Sequence, residues 1–144
     1  MRRLSVLEHR FVKSVPRDLE SGILYVSVEY STALHLCACG CGRKVVTPLS
    51  PNDWSMTFDG RLVSLNPSIG NWSLPCRSHY FIRRGRIQWA GNWTDKQIKQ
   101  GRDYDLMRKR GIRPTVIETE AELETKVRKV SLFERVLKWI NSKF

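Results

Sequence analysis

The sequence predicts an α+β chain: a compact β domain over residues 1–93, then a helical extension over residues 94–144 that packs on it or on a partner. Two observations predict this. Up to Trp93, β-branched and aromatic residues gather in short runs separated by Gly, Pro and Asp-Gly turn signals. Beyond Trp93, capping-box sequences appear and apolar residues recur at spacings of three, four and seven. With 144 residues, 41% of them hydrophobic, the chain is long enough to bury a core of its own and lies outside the range of disordered chains.

The first strand expected is Gly22 to Tyr30, rich in β-branched and aromatic residues and introduced by a turn between Pro16 and Gly22. Thr32 to Leu36 begins a second strand that runs into three cysteines. Gly40 and Gly42 alternate with Cys39 and Cys41; glycine permits the positive φ that lets several sulfurs converge on one point. Arg43 to Thr47 leaves as a strand, and Pro48 and Pro51 break it. Trp54–Phe58 and Arg61–Leu65 flank Asp59-Gly60, a strong hairpin signal. A second hairpin is expected from His79–Ile82 and Arg86–Trp89 around Gly85. Asn66 to Trp72, between the hairpins, reads as a loop by composition.

After Trp93, Thr94-Asp95-Lys96-Gln97 has the form of a capping box opening a helix, which Gly111 and Pro114 end. Thr119–Glu122 and Ser131–Glu134 repeat the capping pattern. Leu123, Val127, Val130, Leu137, Ile140 and Phe144 form one apolar stripe, expected to pack on the sheet or on a partner.

The net charge is +11, spread along the chain, with +6 in residues 1–93 and +5 in residues 94–144. Such a balance favours anionic partners, nucleic acid or an acidic protein surface, and serves solubility equally well. No apolar run reaches the roughly 20 residues of a membrane helix. The basic start Met1-Arg2-Arg3 leads into Glu8, His9 and Arg10 rather than an apolar stretch, so no secretory signal is read. The expected location is cytoplasmic, where thiols stay reduced.

That location governs the cysteines. Cys37, Cys39 and Cys41 fall within five residues, a crowding poorly suited to disulfides. With Cys76, which follows a stretch long enough for a hairpin, they make the four-ligand set of a structural zinc site. Ligands from two separate loops would clamp the ends of the β unit, giving a zinc-clamped β domain. His79, three residues after Cys76, is the alternative fourth ligand, replacing one of the clustered cysteines. A closed four-cysteine site leaves no open position for metal catalysis.

For chemistry at a side chain, Ser68 is the candidate nucleophile. It stands in a Pro-Ser-Ile-Gly sequence expected to form a turn, where backbone amides are free to bind an oxyanion. His79 is the preferred base, because Cys76 would anchor the strand that carries it; His35 is the second choice. Asp53 and Asp59 are the carboxylates available to orient the base, and spacing selects neither. Trp54, Trp72, Trp89 and Trp93, interleaved with Arg77, Arg83, Arg84 and Arg86, read either as core or as a stacking platform for nucleic acid.

Four ordered motifs carry a resemblance. They are His35-Leu36-Cys37-Ala38-Cys39-Gly40-Cys41-Gly42, Pro48-Leu49-Ser50-Pro51-Asn52-Asp53-Trp54, Ser64 to Trp72, and Pro75-Cys76-Arg77-Ser78-His79-Tyr80. Together, over roughly residues 8–93, they resemble a domain-of-unknown-function family of small bacterial zinc-binding proteins encoded beside ubiquitin-like modifiers and their E1- and E2-like enzymes. The resemblance implies an accessory role in a ubiquitin-like conjugation pathway. It also implies a serine-type, deubiquitinase-like peptidase that matures the modifier or removes it from targets, with the ubiquitin-like protein and its E1- and E2-like enzymes as partners. It raises Ser68, with His79 or His35, as the catalytic pair. The alternative is a non-catalytic zinc module that binds nucleic acid or serves the conjugating enzymes as an adaptor.

Overall fold

Eight strands and one helix follow one another in the structure, a computed structural model that describes residues 2–111. The capping patterns at Thr119 and Ser131, the stripe from Leu123 to Phe144 and Pro114 lie outside the described residues. The strands form two four-stranded sheets. β1 (Glu8–Phe11), β2 (Ile23–Ser27), β3 (Thr32–Leu36) and β4 (Lys44–Pro48) make the first, in that order. β5 (Ser55–Phe58), β6 (Val63–Gly70), β7 (His79–Arg83) and β8 (Arg86–Trp89) make the second, an antiparallel meander. β1 pairs parallel with β2, and the other neighbours are antiparallel.

One core lies between the sheets. Leu24, Val26, Ala33 and Val45 from the first meet Val63, Leu65, Ile69, Tyr80, Ile82 and Ile87 from the second. The alternation that predicted the strands decides which side chains enter it: in β4, Val45 and Thr47 are buried while Val46 is exposed. The N-terminal segment stitches the sheets together. It runs beside β8, where Ile87 N–H donates to Ser5 C=O and Val6 bridges Arg86, and then continues into β1.

Two expectations change, and one strand appears that the sequence did not signal. β2 stops at Ser27 rather than reaching Tyr30, because Val28–Ser31 is a turn closed by Ser31 N–H on Val28 C=O, with Ser31 at φ 46°. β1 carries no apolar alternation; Glu8, Arg10 and Phe11 on this edge strand are exposed, so no hydrophobic pattern marks it. Asn66 to Gly70 is not a loop but the second half of β6. Asn66 still pairs with Ser55, and Ile69 and Gly70 pair with Tyr80 and His79. Between Leu65 and Ile69 the register shifts, so Asn66, Pro67 and Ser68 form a bulge on β6, with a cis Asn66–Pro67 peptide. A bulge re-aims a side chain and lifts it from the ladder.

The helix α1 (Asp95–Lys109) opens with the expected capping box: Gln97 N–H donates to Thr94 Oγ1, and the Gln97 side chain accepts from Thr94 N–H. It ends before Gly111, whose φ of 72° suits glycine after a helix. α1 buries only Ile98. The compact unit runs Met1–Arg110 and includes α1. Among the described residues no helix is long and apolar enough to cross a membrane.

Ile82 is fully buried at the centre of the core, whereas Val28 is 68% exposed on a turn. Ile82→Ala is expected to cost about 2–5 kcal/mol in urea unfolding, and Val28→Ala less than about 0.5 kcal/mol.

Candidate active site

The bulge in β6 turns Ser68 toward the first residue of β7. Ser68 Oγ lies 2.9 Å from His79 Nε2. The other ring nitrogen, Nδ1, lies 3.0 Å from the carbonyl oxygen of Gly91, just beyond β8. A carbonyl only accepts, so Nδ1 carries the hydrogen and donates it. In the neutral ring Nε2 is then the lone-pair acceptor for the Ser68 hydroxyl. A serine nucleophile and its histidine base would stand in this relation, with a backbone carbonyl orienting the ring.

The imidazole is 5% exposed and enclosed by aromatic rings. Trp72 lies at 4.9 Å and Trp93 at 5.2 Å between centroids, and the two indoles stack on each other at 5.6 Å. Two glycines make room for them. A side chain at Gly70 would collide with the Trp72 indole, and a Cβ at Gly101 in α1 would stand 3.1 Å from Trp93. Ser68 and His79 open into a cleft of about 470 Å³ walled by Trp54, Trp72, Trp93 and the α1 residues Gly101, Arg102 and Asp105.

The other sequence-predicted residues fall elsewhere. His35, on β3, is fully buried; its Nε2 meets Tyr80 OH at 2.8 Å and it makes no hydrogen bond to Ser68. Burial depresses it to about 4, so it is neutral. Neither aspartate reaches His79. Asp53 pairs with Lys109 at 2.6 Å and accepts from Ser50, and these contacts lower its carboxyl. Asp59 accepts from the amides of Leu62 and Arg61, which lower its carboxyl, and pairs with Arg84. Sequence reasoning missed Gly91 because an orienting group that is a backbone carbonyl leaves no side-chain signature. Trp89 packs against the core beneath the Arg3 guanidinium.

The four cysteines converge. The sulfurs of Cys37, Cys39, Cys41 and Cys76 all lie within 4.8 Å of one another. Measured edges are 3.4 Å for Cys37–Cys39, 3.9 Å for Cys37–Cys76 and 3.8 Å for Cys41–Cys76. A tetrahedral thiolate site with metal–sulfur bonds of about 2.3 Å has sulfur–sulfur edges of about 3.8 Å, so the donor set fits a zinc-sized ion. Both ring nitrogens of His79 are engaged, and among the described residues the cluster that could hold a metal is the all-cysteine one. Gly40 takes φ 85° beneath it, where a Cβ would stand 2.9 Å from the Arg2 carbonyl oxygen.

A polar layer backs the sulfurs. Ser78 Oγ is 3.1 Å from Cys37 Sγ and 3.5 Å from Cys76 Sγ; Asn71 Nδ2 donates to Ser78 Oγ at 2.9 Å. Ser78 thus serves the sulfur cluster, not the cleft. Burial and the neighbouring thiols push Cys39 up to about 12. At Cys76 burial acts upward too, but is outweighed by hydrogen bonds from Ser78 and its neighbours, which bring it down to about 7.

A family model described as "Bacterial ubiquitination-like system serine protease (BubE)" matches residues 11–90. That span holds all four cysteines, Ser68 and His79; Gly91, Trp93 and α1 lie beyond it. No curated protein and no solved structure matches significantly.

The purified chain is expected to carry one metal ion. Cys76→Ser should lower metal content, measured by mass spectrometry of the native protein, and destabilise folding by several kcal/mol, since metal binding is folding free energy. Gly70→Ala should displace Trp72 and change the tryptophan fluorescence while metal content holds.

Proposed function

The chain belongs to the BubE family of bacterial ubiquitination-like system serine proteases, and from that premise we propose that it is a deubiquitinase-like serine peptidase. It cleaves after the C-terminal glycine region of a ubiquitin-like protein, to mature it or to release it from targets. Ser68 is the nucleophile and His79 the base. One observation carries the assignment: His79 Nε2 is 2.9 Å from Ser68 Oγ while its Nδ1 is held at 3.0 Å by the Gly91 carbonyl.

The chemistry follows from that tautomer. Ser68 Oγ attacks the scissile carbonyl carbon as its proton passes to His79 Nε2. The positive ring that results is stabilised by the Gly91 carbonyl dipole. Collapse of the tetrahedral intermediate breaks the peptide bond, and the departing amine takes the proton from Nε2. Water then gives a proton to His79 Nε2 as its oxygen attacks the acyl carbonyl; collapse breaks the bond to Ser68 Oγ, releases the carboxylic acid, and His79 returns the proton to Ser68. Ser68 stands in the bulge, outside the ladder pairs, and its own amide is the donor proposed for the oxyanion. His35, being neutral and engaged with Tyr80, has a structural role.

Zinc is the metal proposed for Cys37, Cys39, Cys41 and Cys76, in a closed structural role, because four thiolates leave no open position for substrate. Reduced cysteines used in this way fit a cytoplasmic location. The partners proposed are the ubiquitin-like protein and its E1- and E2-like enzymes.

A fluorophosphonate probe tests the pair without knowledge of the modifier. Intact mass should show one adduct, on Ser68. Ser68→Ala should abolish it, and His79→Ala should slow it on the order of a thousandfold. His35→Gln should lower the melting temperature yet keep most of the labelling rate. An unmodified Ser68 in the folded, metal-loaded chain contradicts the peptidase reading and favours the non-catalytic zinc module.

A further inference from the structure

The group that orients His79 is a carbonyl in an irregular segment, Ala90–Thr94, between β8 and α1. A carbonyl in a segment without ladder partners on both sides needs something to hold it. One tie is Ala90 N–H, which donates to His79 C=O at 2.9 Å. The next comes from Arg77. Its Nη2 lies 3.4 Å from the Trp93 carbonyl oxygen and 3.0 Å from Asp95 Oδ1, at the first turn of α1. The two ties bracket Gly91 from either side.

Arg77 also follows Cys76 directly, and its backbone is unusual. It adopts φ 43°, in the left-handed region that residues with a Cβ seldom enter. The other such residues among those described lie in tight turns: Arg84 beside Gly85 between β7 and β8, and Ser31 in the turn before β3. At Arg77 the conformation closes the Leu74–Arg77 turn, with Arg77 N–H on Leu74 C=O. Backbone shape alone favours glycine there. What glycine cannot supply is the guanidinium.

We propose that Arg77 is a positioning residue for the catalytic base: it carries the rigidity of the cysteine cluster to the Gly91–Trp93 segment and so holds the carbonyl that fixes the His79 tautomer. The proposal rests on the peptidase reading for its consequence in catalysis, but not for its effect on the imidazole. The Arg77–Asp95 pair is half-exposed, with side chains 43% and 91% accessible, so its contribution to overall stability is small. Its effect is local.

The test separates position from stability. Arg77→Gly relieves the left-handed backbone and removes the guanidinium. In the full-length, metal-loaded chain, metal content should match wild type and the melting temperature should be equal or higher. The rate of fluorophosphonate modification of Ser68 should nevertheless fall at least about tenfold, a change of about 1.4 kcal/mol in barrier. Arg77→Lys should recover part of it. Long-range nitrogen–proton NMR of the imidazoles reads the tautomer directly. Wild-type His79 should show Nδ1 protonated and Nε2 free, and Arg77→Gly should move the two nitrogen shifts toward each other. A rate within twofold of wild type together with unchanged His79 shifts overturns the proposal. If the wild-type serine is not modified at all, the peptidase reading fails, and the imidazole shifts alone decide the role of Arg77.

Discussion

The meeting of Cys76 with Cys37, Cys39 and Cys41 is the constraint on which the site depends. The three clustered cysteines leave the end of β3, in the first sheet; Cys76 precedes β7, in the second. Holding four sulfurs within 4.8 Å joins the sheets at one end of their shared core. It also sets the entry to β7. Ser78 is buried against two of the sulfurs, and His79 is the next residue. A histidine so close to an anchored cysteine has little freedom to miss Ser68. A metal held in this cluster would fix the start of β7, and with it the position of His79 beside Ser68.

The second constraint is the bulge in β6. A regular strand would pair Ser68 with its neighbours and send its side chain along the pleat. Two extra residues on β6 between Leu65 and Ile69 instead free Ser68 from the ladder and aim it at the imidazole. Rigid elements therefore carry both members of the pair, one on a bulged strand and one at the start of its neighbour. The group that engages the other ring nitrogen of His79 is not a carboxylate but the Gly91 carbonyl. A carbonyl fixes the tautomer as a carboxylate does, yet in the proposed mechanism it would offer a dipole rather than a full charge to the positive ring. Trp72 and Trp93 pack around the imidazole and help bury it.

Much of this was legible in the sequence, and the exceptions have physical causes. Both hairpins, β3, the Thr94 capping box and the four-cysteine cluster follow from turn chemistry, capping and ligand spacing, all written in side chains. Ser68 and His79, singled out from the sequence, do lie within hydrogen-bond distance of each other, although Ser68 was expected on a loop. Pro67 and Gly70 read as loop formers, but a bulge admits both: proline lacks an amide only where the ladder is already broken. β1 escaped notice because an exposed edge strand needs no apolar pattern. Gly91 escaped because its contribution comes from the backbone. The choice between Asp53 and Asp59 had no answer in spacing, since each serves another cation, Lys109 and Arg84.

The most direct measurement is cleavage of a ubiquitin-like protein carrying a C-terminal extension. It is followed by intact mass and compared between the wild type and Ser68→Ala at equal metal content. The account predicts one cut after the terminal glycine region by the wild type and none by the variant. Equal cleavage by both would contradict the assignment of Ser68 as the nucleophile, and an uncut modifier with metal-loaded wild type would contradict the peptidase itself.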